Sequence, residues 1–314
     1  MIGRSPSEGR CRWTSTLWML SSLLAGTAAA QSHDFRIEKL GNPIIASDLA
    51  NAAFRSFARQ MGAAMTSVDL APPQTLGQSG FSVNVELAVV SFRGGRALPV
   101  ADGDGFRGPL LMPSIHVRKG LPWSFEVGAR AAWIEKSQMG VASAELKWAL
   151  NEGYTFLPDI GVRAHLSKLL NARSLELLAG GLDVSLGKRF SFFGMMSVTP
   201  YLGWDLVFVG ASTSNVDFDP SASLADAETG AGAAQFRNLY VFRPLSVRGL
   251  SSASDYPGQS LKDNAHNRFY GGFRLGADAF QLGAEVSYSV IGRTSELEPE
   301  IDVIAVNLTL GMQF

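Results

Sequence analysis

From Phe81 to Phe314 the chain keeps alternating apolar residues with small or polar ones at every second position. The last stretch, Ile304 to Phe314, is the clearest case. Ile304, Val306, Leu308, Leu310 and Met312 share one parity, and Asn307, Thr309, Gly311 and Gln313 share the other. In an extended strand that spacing puts all the apolar side chains on one face. Beyond the N-terminal leader no run reaches the ~18 apolar residues that a spanning helix needs, and mean hydropathy is only +0.10. A barrel hides its lipid face in such alternation, whereas a soluble sheet has the same composition. Pattern therefore has to decide.

The closing segment, with Phe314 last, resembles the final strand of bacterial outer-membrane β-barrels, in which such a segment is the assembly signal. The resemblance implies a barrel in the outer membrane, surrounded by lipid and lipopolysaccharide. It also implies recognition by the barrel-assembly machinery through Val306, Leu308, Leu310, Met312 and Phe314. The other end of the chain agrees. Arg4, Arg10 and Arg12 precede an apolar Leu17–Ala25 core, and Ala28-Ala29-Ala30 before Gln31 forms a small-residue cleavage site, so residues 1–30 read as a secretory signal. No cysteine stands at the cleavage point for lipid attachment, and the single cysteine, Cys11, lies within the leader. Without residues 1–30 the chain carries 24 Lys and Arg against 27 Asp and Glu, a net of −3. Such a balance gives no argument for nucleic acid.

Ten strands can be drawn, beginning near Phe81, Leu110, Ser124, Val141, Ile160, Leu178, Met196, Arg268, Phe280 and Ile304. The fold class expected is all-β: a transmembrane antiparallel up-and-down barrel of about ten strands, over 80–314, with twelve to fourteen as the alternative count. If the first strand rises from the periplasm, the second, fourth, sixth and eighth connections must be periplasmic turns and short. They fall near Leu121, Tyr154, Phe190 and Asp278, and all are short. The longest connection, 210–267, falls outside, as an extracellular loop. A weak alternation at Leu239, Val241, Leu245 and Val247 suggests a hairpin in it.

Residues 31–79 form a separate N-terminal segment. Leu49, Ala53, Phe54, Phe57, Met61, Ala64 and Met65 recur at three- and four-residue steps with Arg55, Arg59 and Gln60 opposite, an amphipathic helix over 48–65 that Pro72 and Pro73 follow. A helix with its side chains is about 10–12 Å across. A ten-stranded bore already filled by charges would not admit it. The expectation is therefore a periplasmic helix, lying on the inner leaflet or docking a periplasmic protein partner. With twelve or fourteen strands it would instead plug the lumen. Fatty-acid-transporter barrels use a hatch of this kind; Gly41-Asn42-Pro43 and the Ala-rich helix after it resemble it in outline, without assigning the chain to that family.

The inward parity collects Glu86, Glu126, Glu145, Asp183, Asp205 and Glu285 with Arg118, Arg130, Lys147, Arg163 and Arg274, plus His116 and His165. A nearly balanced set, held where water is scarce, should pair into an ion network that fills the lumen. Trp133, Trp148 and Trp204 fall on the outward parity and, with Phe190, Phe192 and Phe193, read as interfacial girdle residues.

Catalytic groupings are weak. Ser114, His116 and Asp183 can be cast as a triad, and Asp263 with His266 as an acid–base pair, but neither has supporting spacing. Acidic residues at Glu296, Glu298, Glu300 and Asp302, or Asp217 with Asp219, read first as solvated faces rather than as cation ligands. No catalytic residue, metal site or cofactor is assigned. Three functional readings remain: a structural barrel that recruits envelope partners through its long loop or helix, a narrow channel or transporter for small or apolar solutes, and a rim enzyme.

Overall fold

Strand pairing closes on itself. The computed structural model describes residues 34, 35, 37, 47–66, 68–93, 108–154, 156–172, 175–192, 196–213, 216–217, 236–237, 264–292 and 302–314. After a helix α1 (Ser47–Met65) come strands β1 (Phe81–Arg93), β2 (Leu110–Leu121), β3 (Phe125–Trp133), β4 (Gly140–Asn151), β5 (Asp159–Leu170), β6 (Leu175–Gly187), a short β7 (Phe190–Phe192) and β8 (Met196–Thr213). β9 (Val216–Asp217) and β10 (Phe236–Arg237) pair only with each other, and β11 (Ala265–Ala277), β12 (Phe280–Val290) and β13 (Asp302–Gln313) complete the chain. Each long strand pairs antiparallel with its neighbours, β11 returns to β8, and β1 pairs with β13 from Ser82↔Gln313 to Arg93↔Asp302. The ring holds ten strands. β7 extends the lower edge beside Met196–Val198, where β6 has already ended.

The parity read from the sequence holds around the ring. In β4 the burial alternates without a break from Val141 to Leu150, and Leu146 and Trp148 are exposed between buried Glu145 and Lys147. Val85, Ile115, Leu182, Leu202 and Leu310 are each more than half exposed, while Glu86, His116, Asp183 and Asp205 beside some of them are almost fully covered. In water such an exterior would be a large aggregation surface. In hydrocarbon it is the favourable one, and closure leaves no unpaired edge among the ten strands of the ring. The molecule is an integral outer-membrane β-barrel.

Its two ends differ. Connections 122–124, 152–158, 188–195 and 278–279 lie at the end where Phe314 exchanges backbone hydrogen bonds with Phe81. Connections 94–109, 134–139, 171–174, 214–264 and 291–301 lie at the other. Short turns gather at the end expected to be periplasmic and long loops at the end expected to be outer. The long connection is narrower than expected, 214–264 rather than 210–267, because β8 runs on to Thr213 and β11 begins at Ala265. The alternation at Leu239 to Val247 lies outside the described residues.

The helix corrects the expectation most. It has no β-branched residue, and its last turn is closed by Thr66, whose N–H and hydroxyl both reach the Gly62 carbonyl. It does not lie in the periplasm. α1 packs against β6, β8 and β13, and Phe54, Phe57, Ala58, Met61 and Met65 form one apolar cluster with Ala88, Val90, Leu110, Met112, Ala179, Val207, Val209, Ala211 and Val303. The strand members of that cluster are inward positions near the outer end. Arg55, Arg59 and Gln60, expected to face solvent, are buried too, so the described part of the helix is covered on every side. A plug was expected only at twelve or fourteen strands, yet ten suffice. The physical reason is that charges do not fill the whole bore. In its outer half many of the inward residues are Ala, Val, Leu and Met, with Ser143, Ser167, His266, Ser287 and Ser289 between them, and the alanines leave the width that a helix takes.

Candidate functional site in the lumen

Below the helix, the inner half of the lumen holds the expected ion network, built by strands whose register sets oppositely charged side chains side by side. Glu126 faces Lys147 and Arg163 faces Asp183 in direct register. Glu145 is the hub: it accepts from Arg118 Nε at 2.9 Å and Arg163 Nη1 at 2.8 Å, and His116 Nε2 lies 3.0 Å from it. Gly128 stands opposite, where a Cβ would come within 2.6 Å of the Glu145 carboxylate. A glycine there is what lets one carboxylate take three partners. On one side of the hub, His116 Nδ1 meets Glu86 at 2.8 Å, and Arg130 reaches Glu86 at 3.2 Å. On the other, Arg163 Nε donates to Asp183 at 2.6 Å, whose second oxygen accepts from Tyr270 Oη. His165 contacts Asp205 at 3.1 Å, and Arg268 pairs with the same carboxylate.

Most of the expected residues are therefore brought together. Arg274 stands apart, donating to Gln281 at 3.4 Å. Glu285 is held by hydrogen bonds, from Tyr201 Oη at 3.0 Å and from the Leu70 N–H at 3.1 Å. Glu126 accepts the Leu76 N–H at 3.0 Å and lies 3.8 Å from Arg118. Lys147 donates to the Pro72 carbonyl and lies 3.6 Å from Asp69.

Those last contacts show what the sequence reading missed. Thr66 and residues 68–76 lie in the inner half of the lumen as a strap, and Asp69 joins the network between Lys147 and Arg118, the latter 3.7 Å away. Leu70 adopts a positive φ of 47°, an uncommon conformation for a leucine, as it presents its N–H to Glu285. Arg268, Tyr201 and Tyr270 were also missed. Their inward parity was legible, with Tyr201 on it beside Thr199 and Asp205, but a tyrosine brings no charge to an ion network and Arg268 opens its strand. Nothing local marks Asp69, because it lies in a linker.

The catalytic groupings do not assemble. Ser114 Oγ donates to Glu86 and accepts from Arg130 Nε, while Asp183 is bound to Arg163 and Tyr270, so the hydroxyl has no imidazole beside it among these partners. His266 is not in a loop but in β11, buried beneath the outer rim, and Asp263 lies outside the described residues. Asp302 accepts from Tyr288 Oη, and Asp219, Glu296, Glu298 and Glu300 lie outside the described residues. His165, Asp183 and Asp205 each bring a potential ligand atom within 4.8 Å of the others. Arg163 pairs with Asp183 and Arg268 with Asp205, so both carboxylates already have a cationic partner.

On the outside, Val306, Leu308, Leu310, Met312 and Phe314, the residues expected to form an assembly signal, are all exposed along the segment that closes the ring. Trp133, Trp148 and Trp204 are outward as expected, with Trp148 stacked on Phe125 at 5.5 Å, and Phe190 and Phe192 are exposed at the periplasmic end; Phe193 lies outside the described residues.

No known family model matches the chain, and no curated protein matches it in sequence. Among solved structures it is similar to Ail, the attachment invasion locus protein of Yersinia pestis, at 11% identity over 76% of this chain and 99% of that one, with a TM-score of 0.26. The N-terminal β-barrel domain of Pseudomonas aeruginosa OprF gives 10% identity, 76% and 99% coverage and a TM-score of 0.28. LpxR from Salmonella typhimurium gives 7%, 74% and 99%, and 0.33. At such scores these likenesses carry no argument about what the chain does, and its architecture stands on the strand pairing itself.

Proposed function

We propose that this outer-membrane barrel is a closed structural element rather than an open pore, with the outer connection at 214–264 as the surface it offers to envelope partners. One observation carries the reading: the lumen is occupied through its height, by α1 in the outer half and by the strap and its ion network in the inner half. Water-filled porins leave the centre of the bore open. The earlier candidate for partner binding, helix 48–65, has no free described face to offer, which leaves the loop as the better one. Planar-bilayer recording of the full chain tests the proposal. No stepwise conductance is expected, and regular single-channel steps would sink it.

A second reading has one specific observation in its favour. The wall behind α1 is apolar, so a displaced helix would uncover a chamber suited to an apolar solute. A disulfide that pins the helix separates the two. A Cβ placed on Gly62 would lie 3.2 Å from the Val209 Cβ, so a shift of a few tenths of an ångström brings the pair to the ~3.5–4.5 Å that a disulfide uses. If Gly62→Cys with Val209→Cys, once oxidised, abolishes entry of an apolar dye that the reduced form admits, the barrel is a transporter. If dye entry is absent in both states, the structural reading stands.

A further inference from the structure

We infer that the barrel closes around its own N-terminal segment, so that the chain at Asp34 faces the cell exterior while Gly77, at the far end of the strap, faces the periplasm. The direction of the segment is fixed at three levels. At the outer end Asp34 accepts a hydrogen bond at 3.0 Å from the backbone of Gln138, in connection 134–139, and Phe35 packs edge-on against Phe57 of the helix with ring centres 5.0 Å apart. In the middle, α1 fills the apolar outer half. Below it, the strap is gripped mainly by its backbone. Arg118 donates to the carbonyl of Asp69, Lys147 to that of Pro72 and Arg268 to that of Thr66. The N–H groups of Leu70, Thr75 and Leu76 in turn donate to Glu285, Glu152 and Glu126. At the periplasmic end Gly77 turns at a φ of 76°, Gly80 donates to its carbonyl, and β1 starts back up the wall.

This path has a consequence for assembly. A chain with a secretory signal reaches the membrane from the periplasmic side. If the ring closed first, α1 would have to rise through the inner half, where Arg118, Lys147 and Glu285 each reach the backbone of the strap, and a helix is about 10–12 Å across. The pairs around Glu145 and Asp183 would have to open to admit Phe54, Phe57 and Arg59. Pairing of β1 with β13 around a segment already in place meets no such obstacle, because that seam joins the first and last strands of the ring, whereas every other seam joins strands that follow one another around it.

The absence of cysteine after Cys11 makes the test direct. In the full chain, single variants Asp34→Cys, Gln138→Cys and Ser79→Cys are treated in intact cells with a membrane-impermeant maleimide. Asp34→Cys and Gln138→Cys are expected to react, and Ser79→Cys only after the outer membrane is permeabilised. Reaction of Asp34→Cys only after permeabilisation overturns the inference. Should Asp34→Cys stay silent in both conditions, the double variant Asp34→Cys with Gln138→Cys decides. A disulfide that an impermeant reductant breaks in intact cells supports the inference, and no disulfide overturns it. For the order of events, the Gly62→Cys/Val209→Cys pair is followed by pulse-chase. The cross-link must be present in the first molecules that resist unfolding by detergent without boiling, and a resistant form that gains the cross-link only later overturns closure around the segment.

Discussion

The outer and inner halves of this lumen are filled by the same segment in two different ways. In the outer half the filling is volume: Phe54, Phe57, Met61 and Met65 against Val90, Met112, Val207 and Val209, with alanines making room. In the inner half it is charge and backbone: Glu145 with three partners, and a strap whose peptide groups complete the hydrogen bonding of the wall. Apolar packing is non-directional and degrades by degrees as volume is lost. A buried ion network fails at the first unpaired member, because the orphaned charge has no water to turn to. The two halves should therefore respond to substitution by different rules.

The largest effect is expected in the inner half. Arg163→Leu leaves Glu145 and Asp183 without their shared guanidinium, and loss of one partner from a buried pair costs about 3–5 kcal/mol. The measurement is urea unfolding in lipid vesicles, read by the mobility of unboiled protein on gels. A cost near zero would mean that water reaches these carboxylates. In the outer half, Met61→Ala should cost about 2–5 kcal/mol, set by how far the helix can settle into the space. The double variant should cost about the sum of the two single ones, because the residues share no partner; a large departure would mean that the halves are one cooperative unit.

Asp69→Asn comes next. It removes the strap's charge, yet the carbonyl bonds from Arg118 and Lys147 remain, so a loss of about 1–3 kcal/mol is expected. The smallest effect should come from Met61→Leu, which keeps the volume of the outer half and should cost under about 1.5 kcal/mol. If it cost as much as Arg163→Leu, the outer half would be no more forgiving than the inner one, and the contrast between them would be lost. Both variants are read in the same unfolding assay.

Much of the barrel could be read from residue order because its rule is local. Parity assigns a side chain to lipid or lumen from its immediate neighbours alone, and this put Glu86, His116, Glu145, Arg163 and Asp205 on the correct face. Loop length sorted by parity gave the orientation. His266 was misplaced because the strand containing it begins three residues earlier than its apolar signal does.

What the order of residues determined by itself was the face of each strand and the number of strands. Only the closed structure decided where the helix goes and which carboxylate meets which guanidinium. The width left inside a ring depends on ten inward faces taken together, with Ala88, Ala179 and Ala211 contributed by strands far apart in the chain. Asp69 gains its role only when a linker that is featureless in sequence is drawn through that ring.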